Sequence, residues 1–258
     1  MMFPVPLKAF QADRLAVEVH SDRQALGRAA AARAASILRD AVTREGRAAA
    51  VFAAAASQNE FLAALRADHT IDWPRITAFH LDEYTGIPST HPASFRRFLK
   101  ERLMDRVPLA AFHELAGDAP DLPAEAERYT GLLYENRPVL VALGIGENGH
   151  LAFIDPGECD FADPATVRIV HLDQVCRMQQ VHDGAFAGID EVPEGALSLT
   201  IPFFLRTPHA VVSVPGPAKR AAVAAALAGP IEERCPASAL RRHPDAVLYL
   251  DPASAGIA

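Results

Sequence analysis

Four stretches of the sequence hold residues whose types suit proton transfer or anion binding. The apolar run AAAVFAAAA, residues 48–56, leads into Ser57, Gln58 and Asn59. A second run, RITAFHLDEY, residues 75–84, closes on the carboxylates Asp82 and Glu83. LGIGENGHLAF, residues 143–153, sets three glycines, Asn148 and His150 directly after apolar residues, and Lys219 stands in VPGPAKRAAV. Amides and a hydroxyl that open a helix suit an anion. A carboxylate held partly out of water suits a general base. A lysine near a helix start opposes the helix dipole, which an anion nearby would explain. Alone, each stretch has a plainer reading: Ser57 as an N-cap, two solvated carboxylates, turn glycines, a hydrogen-bonded loop histidine and an exposed lysine.

What these residues can do depends on the elements that place them. PVLVALG, residues 138–144, has no polar alternation, so it reads as a strand covered on both faces of a parallel sheet. The loop after it opens at the sheet's carboxyl edge, where open α/β sheets hold their ligands. Ser21 or Asp22 can cap a helix that runs through GRAAAARAASILRDAVTRE and stops at Gly46. Strands are expected at AAAVFAAAA, RITAFHLDEY, PVLVALG, VRIVHL, HAVVSVPG and DAVLYLD. Helices are expected at SQNEFLAALR, HPASFRRFLKERLMDRV, AEAERYTGLLYEN and PAKRAAVAAALAG, with Pro92 near the first turn of the second. Strands separated by helices of this length imply a parallel sheet with helices on both faces. The Pro-rich GDAPDLPAE reads as a surface loop rather than a linker, and residues 1–258 as a single domain.

Composition narrows the setting. Half of the 258 residues are apolar, enough for a large core. A formal charge of −7 without any Lys/Arg block argues against nucleic-acid binding. Cys159, Cys176 and Cys235 form neither an even set nor a CxxC pair, so neither disulfides nor a metal site are expected. MMFPVPLKAF lacks the pattern of a signal peptide, and no apolar run approaches the roughly 18 residues that span a bilayer. A soluble cytoplasmic protein without membrane contact is the expectation. Association into a homo-oligomer stays open.

FHLDEYTGIPSTHPASFRRF, GIGENGHLAFIDP and VPGPAKRAAV, in this order, resemble the three signature segments of the glucosamine-6-phosphate deaminases, also called isomerases. CRMQQVHDGAF followed by DEVPEGALSLTIP resembles one branch of that family. The resemblance spans nearly the whole chain. It implies an α/β fold, a single Rossmann-like αβα sandwich with a mostly parallel central sheet, and conversion of a phosphorylated aminosugar, glucosamine 6-phosphate, to fructose 6-phosphate and ammonia without a cofactor. By the same resemblance Asp82 is the base that moves the C2 proton, with Glu83 and Gly149 beside the sugar. His150 shuttles a proton to the ring oxygen, and Asn148 and Asp155 orient it. Ser57, Gln58 and Lys219 hold the phosphate, and Arg177 is near the family's second phosphate cation.

This sequence departs from the family at several points. AAAASQ replaces a glycine-rich phosphate loop, so residues 53–56 must take negative φ or the loop must run differently. Asn148 stands where many members have aspartate, and Asp155 where the family usually has glutamate. The neighbouring reading is a 6-phosphogluconolactonase, which shares the fold, but whose DER and Ser-Asn pattern is here Asp82, Glu83, Tyr84 and Ser94, Phe95. A sugar-phosphate sensor that kept the pocket without the chemistry is the other.

Overall fold

The computed structural model describes residues 5–257. Its strands are β1 (Lys8–Ala12), β2 (Leu15–Val19), β3 (Ala48–Phe52), β4 (Ile76–His80), β5 (Asp82–Tyr84), β6 (Ala111–Phe112), β7 (Leu140–Leu143), β8 (Val167–His171), β9 (Gly195–Leu199), β10 (His209–Val214) and β11 (Ala246–Leu250). Eight of them form one sheet in the order β1-β2-β11-β10-β7-β3-β4-β6, and β5-β9-β8 form a second. In the large sheet every pair is parallel except β1 with β2, while the small sheet is antiparallel throughout. The helices are α1 (Arg23–Glu45), α2 (Asn59–Arg66), α3 (Phe95–Arg102), α4 (Leu122–Asn136), α5 (Gln174–His182), α6 (Ile201–Arg206), α7 (Arg220–Ala228) and α8 (Pro252–Ala255).

Two apolar layers sandwich the large sheet. Along β3, Ala48, Ala50 and Phe52 join the layer of α1, α2 and α3, whereas Ala49 and Val51 join the layer under α4, α6 and α7. That two-residue alternation of buried side chains on both faces is why the strand is apolar throughout. Alanines along α1 let it approach the sheet and α2 closely. A Cβ added at Gly27 would stand 2.7 Å from the backbone of Glu60. Asp22, not Ser21, caps α1 by accepting a hydrogen bond from Ala25 N at 2.7 Å, and Gly46 ends the helix at φ 75°. Among the described residues no helix is long and apolar enough to cross a membrane.

Several elements differ from the expectation. RITAFHLDEY is not one strand: β4 ends at His80, Leu81 turns the chain, and β5 joins the small sheet beside β9. VRIVHL, as β8, also lies in that small sheet rather than the parallel one. The β1–β2 hairpin, β9 and α5 were not anticipated from the pattern. The helix expected over residues 91–107 begins only at Phe95 and stops at Leu103, whose φ of −136° interrupts it before a 3₁₀ turn at Met104–Arg106.

Candidate active site

β3 and β7 are neighbours at the point where the order of the large sheet reverses, with β4 and β6 to one side and β10 and β11 to the other. Ligands of open α/β sheets sit at the carboxyl ends of strands at such a switch. Here the loops leaving β3, β4, β7 and β10 bound a cavity of about 250 Å³, lined by Ser57, Gln58, Asp82, His150, Lys219 and neighbours. A larger surface hollow of about 840 Å³ lies against α1 and the start of β10, away from these loops.

Asp82 opens β5 at the turn out of the sheet and is 6% exposed. Burial first, then the adjacent Glu83 carboxylate, hold its carboxyl well above the usual carboxylate range. Its main chain is fixed by His80, a fully buried residue whose place in the sequence carries no motif signal. Leu115 N donates to Nε2 at 2.8 Å, so the proton must sit on Nδ1, which lies 2.9 Å from the Asp82 carbonyl oxygen. Burial pushes the His80 imidazole down to about 3, which keeps it neutral for this task. Tyr129 completes the support by accepting from His80 N and donating to His80 O, both at 2.8 Å.

Glu83 does not line the cavity. Successive residues of a strand face opposite ways, so Asp82 pointing in sends Glu83 out. There it accepts from Tyr84 N, Phe95 N, Ser94 Oγ, Arg96 N and Arg96 Nε at 2.7 to 3.1 Å. Its work is to hold the first turn of α3 and the buried Arg96, which also reaches Asp118 and the Ile87 carbonyl.

The His150 loop closes on itself: Gly149 N donates to Gly146 O, and Gly146 N to His150 O. Gly149 has φ 86° and makes the turn without lining the cavity. Gly146 makes room for the imidazole, since a Cβ there would lie 2.1 Å from His150 Nε2. Nδ1 stands 3.1 Å from Asp155 Oδ1, within charge-pairing distance but off the line of a well-formed hydrogen bond. Burial alone would raise the Asp155 carboxyl. His150, the Asn148 amide and Asp173 N outweigh it and hold that carboxyl below its ordinary value. Asn148 does not bond to the imidazole ring itself. It accepts from His150 N at 3.1 Å and donates to Asp155 and Asp173 at 2.9 Å each, so it reaches the imidazole only through Asp155. Replacing Gly146 with Ala should therefore push the ring aside and lower kcat by about a hundredfold, the usual effect of about 1 Å of misplacement. Steady-state kinetics of the variant check this, and an unchanged kcat would show that ring placement is not critical.

His150 Nδ1, Asp155 and Cys176 Sγ each place a ligand atom within 4.8 Å of the others. Burial pushes the Cys176 thiol far up, and Asn148 and Asp173 already occupy both Asp155 oxygens. The grouping serves an imidazole–carboxylate pair better than a cation.

Across the cavity, the residues after β3 run through a 3₁₀ turn, Ala56–Gln58, into α2. None of the alanines at 53–56 takes positive φ, and Ala55 is extended at φ −146°, so the loop accepts alanine without strain. Ser57 makes no capping hydrogen bond to the helix and lines the cavity with Gln58, whose Nε2 donates to the Ser213 carbonyl at 3.1 Å. Lys219 is 6% exposed, and its Nζ makes no hydrogen bond; Glu147 Oε1 is 3.5 Å away. Burial lowers its pKa, countered in part by Asp183 and Glu147. A buried ammonium without a hydrogen-bonding partner at a cavity wall is suited to an incoming anion.

Arg177 is not at the cavity. Its Nη2 donates to the carbonyls of Ile189 and Val192. Two residues along a helix is about 200° of rotation, so Gln179, rather than Arg177, faces the cavity, and Gln180 lines it beside Gln179. Gln179 accepts from Glu147 N, and Gln180 from Tyr84 Oη at 2.6 Å. Asp173 caps α5 through Cys176 N, and that aspartate before an apolar-periodic stretch was the sequence signal for the helix that presents both glutamines.

Residues 21–249 match the sequence model of the glucosamine-6-phosphate isomerases/6-phosphogluconolactonase family. A glucosamine-6-phosphate deaminase of Exiguobacterium sp. is 35% identical over 72% of this chain and 71% of its own. Among solved structures, a monomeric glucosamine-6-phosphate deaminase superposes with TM-score 0.85 at 28% identity, over 94% of this chain and 99% of that one. The fold is also that of a 6-phosphogluconolactonase from Shewanella baltica, with TM-score 0.77 at 18% identity over 94% of this chain and 100% of the other. With a match that runs from α1 into β11 and takes in the His150 loop and the Lys219 turn, the chain belongs to the family of glucosamine-6-phosphate isomerases and 6-phosphogluconolactonases.

Proposed function

We propose that this protein is a glucosamine-6-phosphate deaminase, turning glucosamine 6-phosphate and water into fructose 6-phosphate and ammonia. The observation that carries the reading is one cavity that holds both a buried carboxylate beside an oriented histidine and a buried lysine without a hydrogen-bonding partner. The Ser57 loop and Lys219 hold the phosphate. His150, paired with Asp155, takes the proton from the C1 hydroxyl and delivers it to the ring oxygen as the C1–O5 bond breaks. Asp82 then removes the C2 proton of the open-chain aldose as O1 takes up a proton, giving an enolamine, and returns a proton at C1 as the amino group gives one up, which leaves an imine at C2. Water adds to that carbon, ammonia leaves, and the ketose remains. A site walled by Leu81, Phe95 and Phe153 keeps Asp82 basic enough to act on a carbon acid.

Ammonia release from glucosamine 6-phosphate by the purified protein, run beside hydrolysis of 6-phosphogluconolactone, tests the assignment. Ammonia with no lactone hydrolysis is expected; the reverse would make the protein a lactonase, and sugar-phosphate binding without either reaction would make it a sensor. Lys219→Ala should raise KM about tenfold to a hundredfold with a smaller change in kcat, because a charge-assisted phosphate contact serves ground and transition states alike. An unchanged KM in steady-state kinetics would remove Lys219 from the phosphate site.

A further inference from the structure

The cavity has a second permanent cation that no motif marked. Arg102, in the last turn of α3, lines it together with Phe98, Ser57 and Gln58. Its guanidinium carbon lies 3.8 Å from the centre of the Phe98 ring, a cation–π contact that helps hold the side chain in place. Nε donates to Asn59 Oδ1 at 2.7 Å, and Asn59 directly follows Gln58 of the anion-binding turn. The arginine is thus held to that turn at one edge. The two terminal nitrogens make no hydrogen bond among the described residues, and Nη1 has only a loose 3.7 Å pairing with the half-exposed Glu101.

Charge balance shows why one cation is not enough. A phosphate monoester carries about −1.5 to −2 at neutral pH. Lys219 brings one positive charge, already shared with Glu147 at 3.5 Å and opposed by burial. Arg177, which the resemblance suggested as the second cation, spends its guanidinium on backbone carbonyls outside the cavity. We propose that Arg102 is the second cation of the phosphate subsite, offering the free end of its fork to the phosphate oxygens opposite Lys219. The inference rests on reading the cavity as a sugar-phosphate site. It adds a residue from α3 to an anion site otherwise built on the carboxyl edge of the sheet.

Calorimetric titration with inorganic phosphate, alongside steady-state kinetics with glucosamine 6-phosphate, tests it. Arg102→Ala should weaken phosphate binding and raise KM in parallel, each about tenfold to a hundredfold, with kcat changed far less. Arg102→Lys should recover part of both, because it restores the charge without the fork. Arg97→Ala, on the same helix but outside the cavity, should match the parent and thereby show that loss of an α3 arginine does not by itself disturb the fold. Phosphate affinity and KM both unchanged in Arg102→Ala would overturn the proposal. So would a fall in kcat alone, since that would mark a merely structural arginine. Should the parent protein release no ammonia, the deaminase reading falls, while the phosphate titrations of parent and variants still decide the role of Arg102.

Discussion

Asp82→Asn is expected to lower the rate of ammonia release by about two to four orders of magnitude, the range that a positioned general base contributes. The amide keeps the shape of the side chain, and the His80 and Tyr129 contacts that fix this stretch are made to main-chain atoms, so the fold and KM should change little. The same residue sets a pH dependence. Its carboxyl is held above the ordinary range by burial and then by Glu83, so the basic form is present only above that raised value. Activity in the parent should therefore fall as pH drops through a region well above about 4, where an exposed aspartate would titrate. Initial rates across pH check both points. A parent profile whose acid limb lies at the ordinary carboxylate range would show that Asp82 is not the titrating base.

His150→Gln is expected to cost about a hundredfold or more in the forward direction, since it removes the group proposed to carry a proton between the C1 hydroxyl and the ring oxygen. The loss should be smaller in the reverse direction, because fructose 6-phosphate opens more readily by itself. That asymmetry separates ring opening from isomerisation. Equal losses in the two directions would place His150 in the proton transfer at C2 instead. Glutamine retains a donor and an acceptor, and Gly146 leaves space for it, so the loop should keep its closure.

The parallel sheet and the carboxyl-edge position of the key loops were legible because buried parallel strands are apolar without alternation, and AAAVF, LVAL and HAVVSV all show this. The small antiparallel sheet was hidden. RITAFHLDEY reads as one apolar run because both β4 and β5 are buried throughout their last residues, and nothing in composition marks Leu81 as the bend. β1, whose residues are mostly exposed, lacks the apolar face that reveals a strand. At the site, single residues were legible where their type alone limits their use. Asp82, His150, Lys219, Ser57 and Gln58 do share one cavity.

What the sequence could not show was direction. Glu83 and Arg177 carry suitable charges but face away from the cavity, one by the two-residue period of a strand and one by the rotation of a helix. His80 and Arg102 were missed for the opposite reason: their motif positions are ordinary, and only packing brings them to Asp82 and to the Ser57 turn.

The proposed chemistry turns on Asp82 as the base at C2, and exchange at that carbon tests it most directly. Glucosamine 6-phosphate deuterated at C2 should lose deuterium from that carbon, to C1 or to solvent, with the parent protein and more slowly with His150→Gln. With Asp82→Asn the label should be retained, although the sugar phosphate still binds. If Asp82→Asn washes deuterium out at the parent rate, the proton is taken by another group and the proposed chemistry of the cavity is wrong at its centre.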